Sequence, residues 1–267
     1  MTTPSGLHLM STPMLSNDQM VRYSRQILLR QIGGEGQRRL GAASVFILGA
    51  GGLGSPAASY LAAAGVGHLV IADGDRVELS NLQRQILHAT DRIGLLKTES
   101  AARTLQALNP EVRVTAFGER IDENNLKTII AGCDLIVDGS DNFATRYLLN
   151  QAAKEAGKVL ISGAVLGFEG QIATFRHGVD PAAPCYRCLY PVSGEANGHE
   201  AVPTCATAGV LGAVTGVVGS WQAAEAIKEL LGIGVSLSGS LVLINLLDGI
   251  VHRVRIAKDP CCPVCNS

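Results

Sequence analysis

The run Ser44-Val45-Phe46-Ile47-Leu48 leads straight into Gly49-Ala50-Gly51-Gly52-Leu53-Gly54, and an alanine-rich segment, 56–64, follows. A short β-branched and aromatic run bounded by glycine reads as a buried strand, and the alanines after it propagate a helix. A strand that turns through glycines into a helix leaves the chain few options. The helix must cross back over the sheet, and the next strand then lies parallel to the first. Gly49-x-Gly51-x-x-Gly54 has no side chains to hold phosphates away, and the helix N-terminus supplies oriented N–H donors. Asp73 closes the next strand, 19 residues after Gly54, where a carboxylate accepts hydrogen bonds from ribose hydroxyls. These residues together mark an adenosine-nucleotide site. They do not separate NAD from ATP.

The same alternation continues. Strands are expected at Ser44–Leu48, His68–Ala72, 112–116, 135–137 and 159–161, and helices at 56–64, Lys97–Leu108, around 126–130 and at 142–156. Beyond Gly163 the pattern changes: 171–175 and 241–245 read as strands, while 251–256 alternates apolar and basic residues as an exposed edge strand does. The expected fold is α/β, a Rossmann-like, mainly parallel sheet flanked by helices, with an antiparallel C-terminal extension. Residues 1–15 read as a flexible leader. Residues 16–267 read as one domain, with a nucleotide-binding core at about 40–165 and a second, C-terminal part at about 166–267.

Composition narrows the function classes. Hydrophobic residues make up 47% and charged residues 17%, enough for a large core and incompatible with global disorder. A net charge of −1 supplies no basic field for nucleic acid. Segment 201–224 carries no charge, but Pro203, Ser220, Gln222 and the spaced Gly209, Gly212, Gly216 and Gly219 point to a buried helix and not a membrane span. Residues 1–19 lack a basic stretch followed by an apolar run, so no signal peptide is expected and the location read from the sequence is cytoplasmic.

Two features favour a triphosphate. Ser80-Asn81-Leu82-Gln83-Arg84-Gln85 and Lys97 place polar and cationic groups just after Asp73. Asp138 and Asp141, at the end of a buried strand, sit on the ligand-binding edge of a parallel sheet, where a carboxylate can hold Mg²⁺.

Cys185-Tyr186-Arg187-Cys188 and Cys262-Pro263-Val264-Cys265 are two CxxC knuckles. Four thiolates suit tetrahedral Zn²⁺, and a closed Cys₄ set leaves no position for substrate, so the expected zinc is structural. Cys261 lacks the two-residue gap to Cys265, and Cys133, just before a strand, reads as packing.

Arg22-Tyr23-Ser24-Arg25-Gln26-Ile27, the glycine loop, Asp73-x-Asp75, Ser80 to Gln85, Lys97, Ser140-Asp141-Asn142 and the cysteines stand in one order along residues 16–266. In that order and spacing the chain resembles the adenylyltransferases related to the ubiquitin-activating enzymes, closest to their molybdopterin-synthase and thiamine sulfur-carrier branches. The resemblance implies ATP-dependent adenylation of the C-terminal Gly-Gly carboxylate of a ubiquitin-like sulfur-carrier protein, for molybdopterin (preferred) or thiamine biosynthesis. By the same resemblance, Gly49, Gly51, Gly52 and Gly54 approach the phosphates, Asp73 and Asp75 lie at the ribose side, and Asn81, Arg84, Gln85 and Lys97 surround the triphosphate. Asp141, with Asn142 beside it, holds Mg²⁺. Arg25 reaches the partner's site in a homodimer, and Cys205 is a candidate acceptor thiol. A rhodanese-like domain is not expected within these residues, and an external sulfur donor is the expected partner. Competing readings are a same-fold enzyme adenylating a small molecule or a tRNA base, an NAD-dependent dehydrogenase, and a non-enzymatic nucleotide-binding module.

Overall fold

The computed structural model describes residues 14–191 and 209–266. Helices α1 (Asn17–Arg22), α2 (Ser24–Ile27) and α3 (Gly33–Ala42) precede strand β1 (Ser44–Leu48). Then come α4 (Gly54–Ala63), β2 (His68–Ala72), α5 (Lys97–Leu108), β3 (Arg113–Phe117), α6 (Glu123–Ala131), β4 (Leu135–Asp138), α7 (Phe143–Glu155) and β5 (Val159–Leu166). The chain continues through β6 (Glu169–Phe175), α8 (Tyr186–Leu189), α9 (Gly212–Leu231), β7 (Ser240–Asn245) and β8 (Ile250–Arg255).

All eight strands form one sheet in the order β3-β2-β1-β4-β5-β6-β7-β8. Strands β3 to β5 pair in parallel, and β5 to β8 pair antiparallel. The expected α/β fold with its antiparallel extension is what the chain forms. Strands β1, β2 and β4 carry Val, Ile, Leu and Phe on both faces because helices cover both sides. On one face Val45, Ile47, Leu69, Ile71, Val137 and Ile161 pack under α3, α4, α5 and α9. On the other, Phe46, Val70, Ile136 and Leu160 pack under α6, α7 and α8.

The strand order reverses between β1 and β4. At such a reversal the crossover helices depart to opposite faces and leave a crevice beyond the carboxyl ends of the two strands. The glycine loop follows β1 and the turn 139–142 follows β4, so both lie at this crevice.

Several boundaries move. Helix α4 begins at Gly54 and not at residue 56, and β3 sits one residue later than expected. Strand β5 continues through Gly163 to Leu166, because β6 offers it an antiparallel partner. The expected buried helix at 201–224 is α9, which starts at Gly212 and runs past Glu225 and Lys228 to a left-handed cap at Gly232 (φ 64°). Glu225 is buried and paired with Lys228, so charge does not mark this helix's end. Residues 201–208 lie outside the described residues, as does most of the expected leader. Among the described residues no helix is long and apolar enough to cross a membrane.

Candidate functional site

Each glycine of the loop meets a different constraint. Gly49 has φ 92°, in the left-handed region that favours glycine. A Cβ on Gly54 would lie 1.7 Å from the Gly49 carbonyl oxygen. These two make the turn possible. Gly51 is open, its nearest neighbour being Gln85 Nε2 at 3.8 Å, and Gly52 faces Thr215 and Arg84. The first turn of α4 has no side-chain cap, but Ser55 N–H is spent on Gly51 O, Ala57 N–H on Leu53 O, and Pro56 has none, so the helix start offers fewer anion donors than its position suggests.

Asp73 ties this loop to β2. Its Oδ2 accepts from Ala50 N–H at 2.8 Å and its Oδ1 from Asp75 N–H at 2.9 Å. Asp75 in turn accepts from Lys97 Nζ at 2.7 Å. Lys97 is only 6% exposed, whereas the Asp75 carboxylate is largely in solvent. Residues Leu79–Asn81 form a 3-10 turn, and the carbonyl of Asn81 accepts from the N–H groups of Arg84 and Gln85. Arg84 donates to Ser80 O at 3.1 Å and lies beside Gly52. Gln85 is buried next to Gly51, and its Oε1 has no hydrogen-bond partner among the described residues. A buried orphan acceptor is costly unless something satisfies it, which fits a polar ligand at the loop.

The turn after β4 completes the crevice. A Cβ on Gly139 would lie 3.1 Å from Gly54 N, and one on Gly49 would lie 3.0 Å from Gly139 O, so this turn packs against the glycine loop. Asp141 is exposed, with only Asn142 Nδ2 at 3.4 Å on its carboxylate among the described contacts. Asn142 caps α7 by accepting from Thr145 N–H at 2.9 Å. Asp138 is a correction. It was expected at the ligand edge beside Asp141, yet it is fully buried, with Oδ1 held by Ser140 and Oδ2 by Ser162. Fully buried, Asp138 presents no oxygen to the crevice, and of the two carboxylates it is Asp141 that stays exposed.

Arg25 does not join this crevice within the subunit. It is exposed on α2, and its neighbour Gln26 donates to Ala64 O at 3.0 Å. Ala64 caps the far end of α4, a ten-residue helix, which is about 15 Å long.

Two groups escaped the sequence reading. His88 is buried under the loop, with Nε2 2.9 Å from Ala50 O and Nδ1 3.0 Å from Ser100 Oγ. Burial pushes its imidazole below the ordinary range, and the nearby Lys97 charge adds to this against the opposing Ala50 hydrogen bond. Arg146, on a helix face that reads as ordinary, is buried against Asp138. Neither residue belongs to a recognisable motif, and only the side chains from other elements reveal their setting.

The cysteine knuckles meet. Sγ of Cys185 is 3.9 Å from that of Cys188 and 3.6 Å from that of Cys262, and Cys188 is 3.6 Å from Cys265. All four sulfurs lie within 4.8 Å of one another. Zinc–sulfur bonds of about 2.3 Å put tetrahedral thiolates roughly 3.8 Å apart, so the quartet is compatible with zinc. Burial pushes the Cys185 thiol up to about 11, so a cation is needed to hold it as thiolate at neutral pH. The support is local: Asn150 Oδ1 accepts from Tyr186 N–H at 2.9 Å, and Lys258 Nζ donates to Pro181 O and Cys265 O. Cys261 is exposed and stands outside the quartet, and Cys133 is buried in the core. Cys205 lies outside the described residues.

Comparison with known proteins agrees with this fold. The family model described as the ThiF family matches residues 23–264. A sulfur carrier protein adenylyltransferase of Thermus thermophilus is 48% identical over 94% of this chain and 92% of its own length. The SAMP-activating enzyme E1 of Haloferax volcanii is 48% identical over 94% and 91%. An adenylyltransferase and sulfurtransferase MOCS3 of Drosophila willistoni is 47% identical over 95% of this chain, which spans only 55% of that longer protein. Among solved structures, E. coli MccB with ATP superposes with a TM-score of 0.76 at 25% identity, covering 91% of this chain and 73% of that one. MccB with MccA gives 0.80, also at 25% identity, covering 95% and 76%. With the family model spanning nearly all of the sequence and relatives near half identity over almost their full length, the chain belongs to the ThiF family and is an adenylyltransferase.

Proposed function

We propose that this chain uses ATP to adenylate the C-terminal Gly-Gly carboxylate of a ubiquitin-like sulfur-carrier protein. The observation that carries the reading is the pairing, across one crevice, of an open glycine loop flanked by Lys97 and Arg84 with the exposed carboxylate of Asp141. Cations on one side and an oxygen ligand on the other suit a metal-bound triphosphate, and a nicotinamide dinucleotide has no use for them.

In this reading Asp73 and Asp75 face the ribose, and the backbone at Gly51 and Gly52 approaches the phosphates. The carrier carboxylate is already ionised and needs no general base. Its oxygen forms a bond to the α-phosphorus, the bond to the bridging oxygen breaks, and pyrophosphate leaves with the electron pair. The products are a carrier acyl-adenylate and pyrophosphate. Lys97 and Arg84 neutralise charge on the phosphates, and Asn81 supports the α-phosphate region, so positioning and electrostatics supply the rate. In the free protein Asp75 holds Lys97, and a triphosphate competes for that ammonium. Asp141, with Asn142 next to it, would hold Mg²⁺, which when bound neutralises and orients the phosphates.

The carrier's globular part docks on the antiparallel face, where Gln171 and Leu243 stand half-buried to exposed, and its tail crosses the sheet to the crevice. Glycines in that tail leave room for the close approach. The four cysteines hold a structural zinc. Two subunits pair so that Arg25 of each completes the site of the other. An external donor then delivers sulfur to the acyl-adenylate, with Cys205 as a candidate acceptor thiol. The carrier we favour is that of molybdopterin synthesis, with the thiamine carrier second.

The test is carrier-dependent exchange of labelled pyrophosphate into ATP, run with each Gly-Gly carrier. Exchange with one carrier and none without it is expected. Folded protein that exchanges with no carrier would overturn the reading, and exchange driven by a small molecule or tRNA would replace it.

A further inference from the structure

Beneath the turn that presents Asp141 lies an ionic network built around Ser140 and Asp138. Ser140 donates to Asp138 Oδ1 from its N–H at 2.9 Å and from its hydroxyl at 2.6 Å. Its carbonyl accepts from Arg146 Nη2 at 2.8 Å. Three of its atoms are therefore held. Asp138 Oδ2 accepts from Ser162 Oγ at 2.7 Å and faces Arg146 Nε at 3.8 Å. Arg146 Nη2 also reaches Gly163 O at 3.3 Å. From the opposite face of the sheet, Gln222 on α9 donates to Asp138 O at 2.7 Å and Ile161 O at 3.3 Å.

Stability alone does not explain this arrangement. Asp138 is 0% exposed and Arg146 8%. A buried ion pair is often no more stable than well-packed apolar residues of the same volume. What it supplies is a fixed geometry: both Asp138 oxygens and Arg146 Nη2 are hydrogen-bonded in this arrangement, although Arg146 Nε, 3.8 Å from Asp138, has no hydrogen-bond partner among the described residues. That geometry is delivered to Asp141, whose backbone is fixed by the gripped Ser140 before it and by the helix cap Asn142 after it, while its carboxylate remains in solvent.

We propose that Arg146 and Asp138 are positioning residues for adenylation: they hold Ser140 so that the next residue, Asp141, offers its carboxylate to the metal of the nucleotide complex at a fixed place beside the glycine loop. The inference rests on the adenylation reading above and names the device that sets its metal ligand. Neither residue touches substrate. Their effect passes entirely through the turn 139–142.

The experiment measures divalent-cation binding directly. Mn²⁺ is titrated into the purified protein with a non-hydrolysable ATP analogue and followed by electron paramagnetic resonance, with thermal melting to show that each variant is folded. Arg146→Lys keeps the charge but cannot reach Ser140 O, Gly163 O and Asp138 together. It should weaken Mn²⁺ binding about tenfold, as loss of a supporting partner behind a metal ligand does, while affinity for the analogue without metal stays close to that of the unmodified protein. Ser140→Ala and Ser162→Ala each remove one hydrogen bond to Asp138 and should weaken Mn²⁺ less, so the proposal remains testable if Arg146→Lys does not fold. Asp141→Asn should lose the metal. Unchanged Mn²⁺ affinity in the folded variants overturns the positioning role and leaves the adenylation reading standing. If the unmodified protein binds the analogue but no Mn²⁺ with it, the metal-dependent adenylation reading falls, and this inference with it.

Discussion

At Gly54 a single methyl group would collide with the Gly49 carbonyl at 1.7 Å, whereas at Gly51 it would meet only a glutamine nitrogen at 3.8 Å. Gly54→Ala should therefore cost about 3 kcal/mol or more of stability, since backbone cannot yield as a flexible side chain does. Gly51→Ala should leave stability within about 0.5 kcal/mol and weaken ATP, because on the proposed reading its methyl would stand where a phosphate approaches. Thermal melting and nucleotide titration of the two variants separate the effects, and equal melting temperatures would refute the distinction. Both glycines were legible as a pair with Asp73 and Lys97, because loop, strand end and helix start have fixed sequence spacing. Asp138 and Asp141 were not distinguishable, since what buries the first arrives from Ser162 on β5 and Arg146 on α7. His88 was invisible for the same reason: its partners Ala50 and Ser100 come from other elements.

Strands β1, β2 and β4 were readable because burial on both faces makes them continuous apolar runs. Helices α1 and α2 were not, because neither buries a residue and so neither shows an apolar stripe at helical period. They are held instead by side-chain tips: Tyr23, in the cap between them, accepts from Asn109 Nδ2 at 2.8 Å, and Gln26 reaches Gln37 and Ala64. Helix α8 has only four residues, too few to stand alone, and its cysteines join it to the segment after β8. The purified protein should contain one zinc per chain by elemental analysis. Cys185→Ala should lose it and lower the melting temperature by roughly 6–12 °C, the shift that about 3 kcal/mol produces in a chain of this size. Full metal content in that variant would refute the quartet.

Across the whole molecule, His68, His88 and His177 all have imidazoles pushed below their ordinary value of 6.5, chiefly by burial. The unfolded chain takes up these protons near pH 6.5 while the folded one does not. Their contribution is thus intact above that value and is lost as pH falls from it through the lower folded values. Melting temperature should decline from pH 7 toward pH 5, and His177→Gln should flatten the decline; an unaltered slope would count against it. The proposed dimer makes a separate demand. Arg25→Ala and Arg84→Ala should each be inactive, yet mixing them with subunit exchange should restore about a quarter of the activity, because half of the dimers then carry one intact composite site. No recovery would place Arg25 outside the partner's site. Finally, β5 is shared: Val159 to Ser162 pair with β4 and Leu160 to Leu166 with β6, so the crevice and the antiparallel face belong to one continuous plate. A carrier docked on the antiparallel face, as proposed, would reach the crevice through its tail at about 3.3–3.6 Å per extended residue. Removing one tail residue should therefore abolish adenylation of a carrier that still docks, which makes tail length a selector of substrates in its own right.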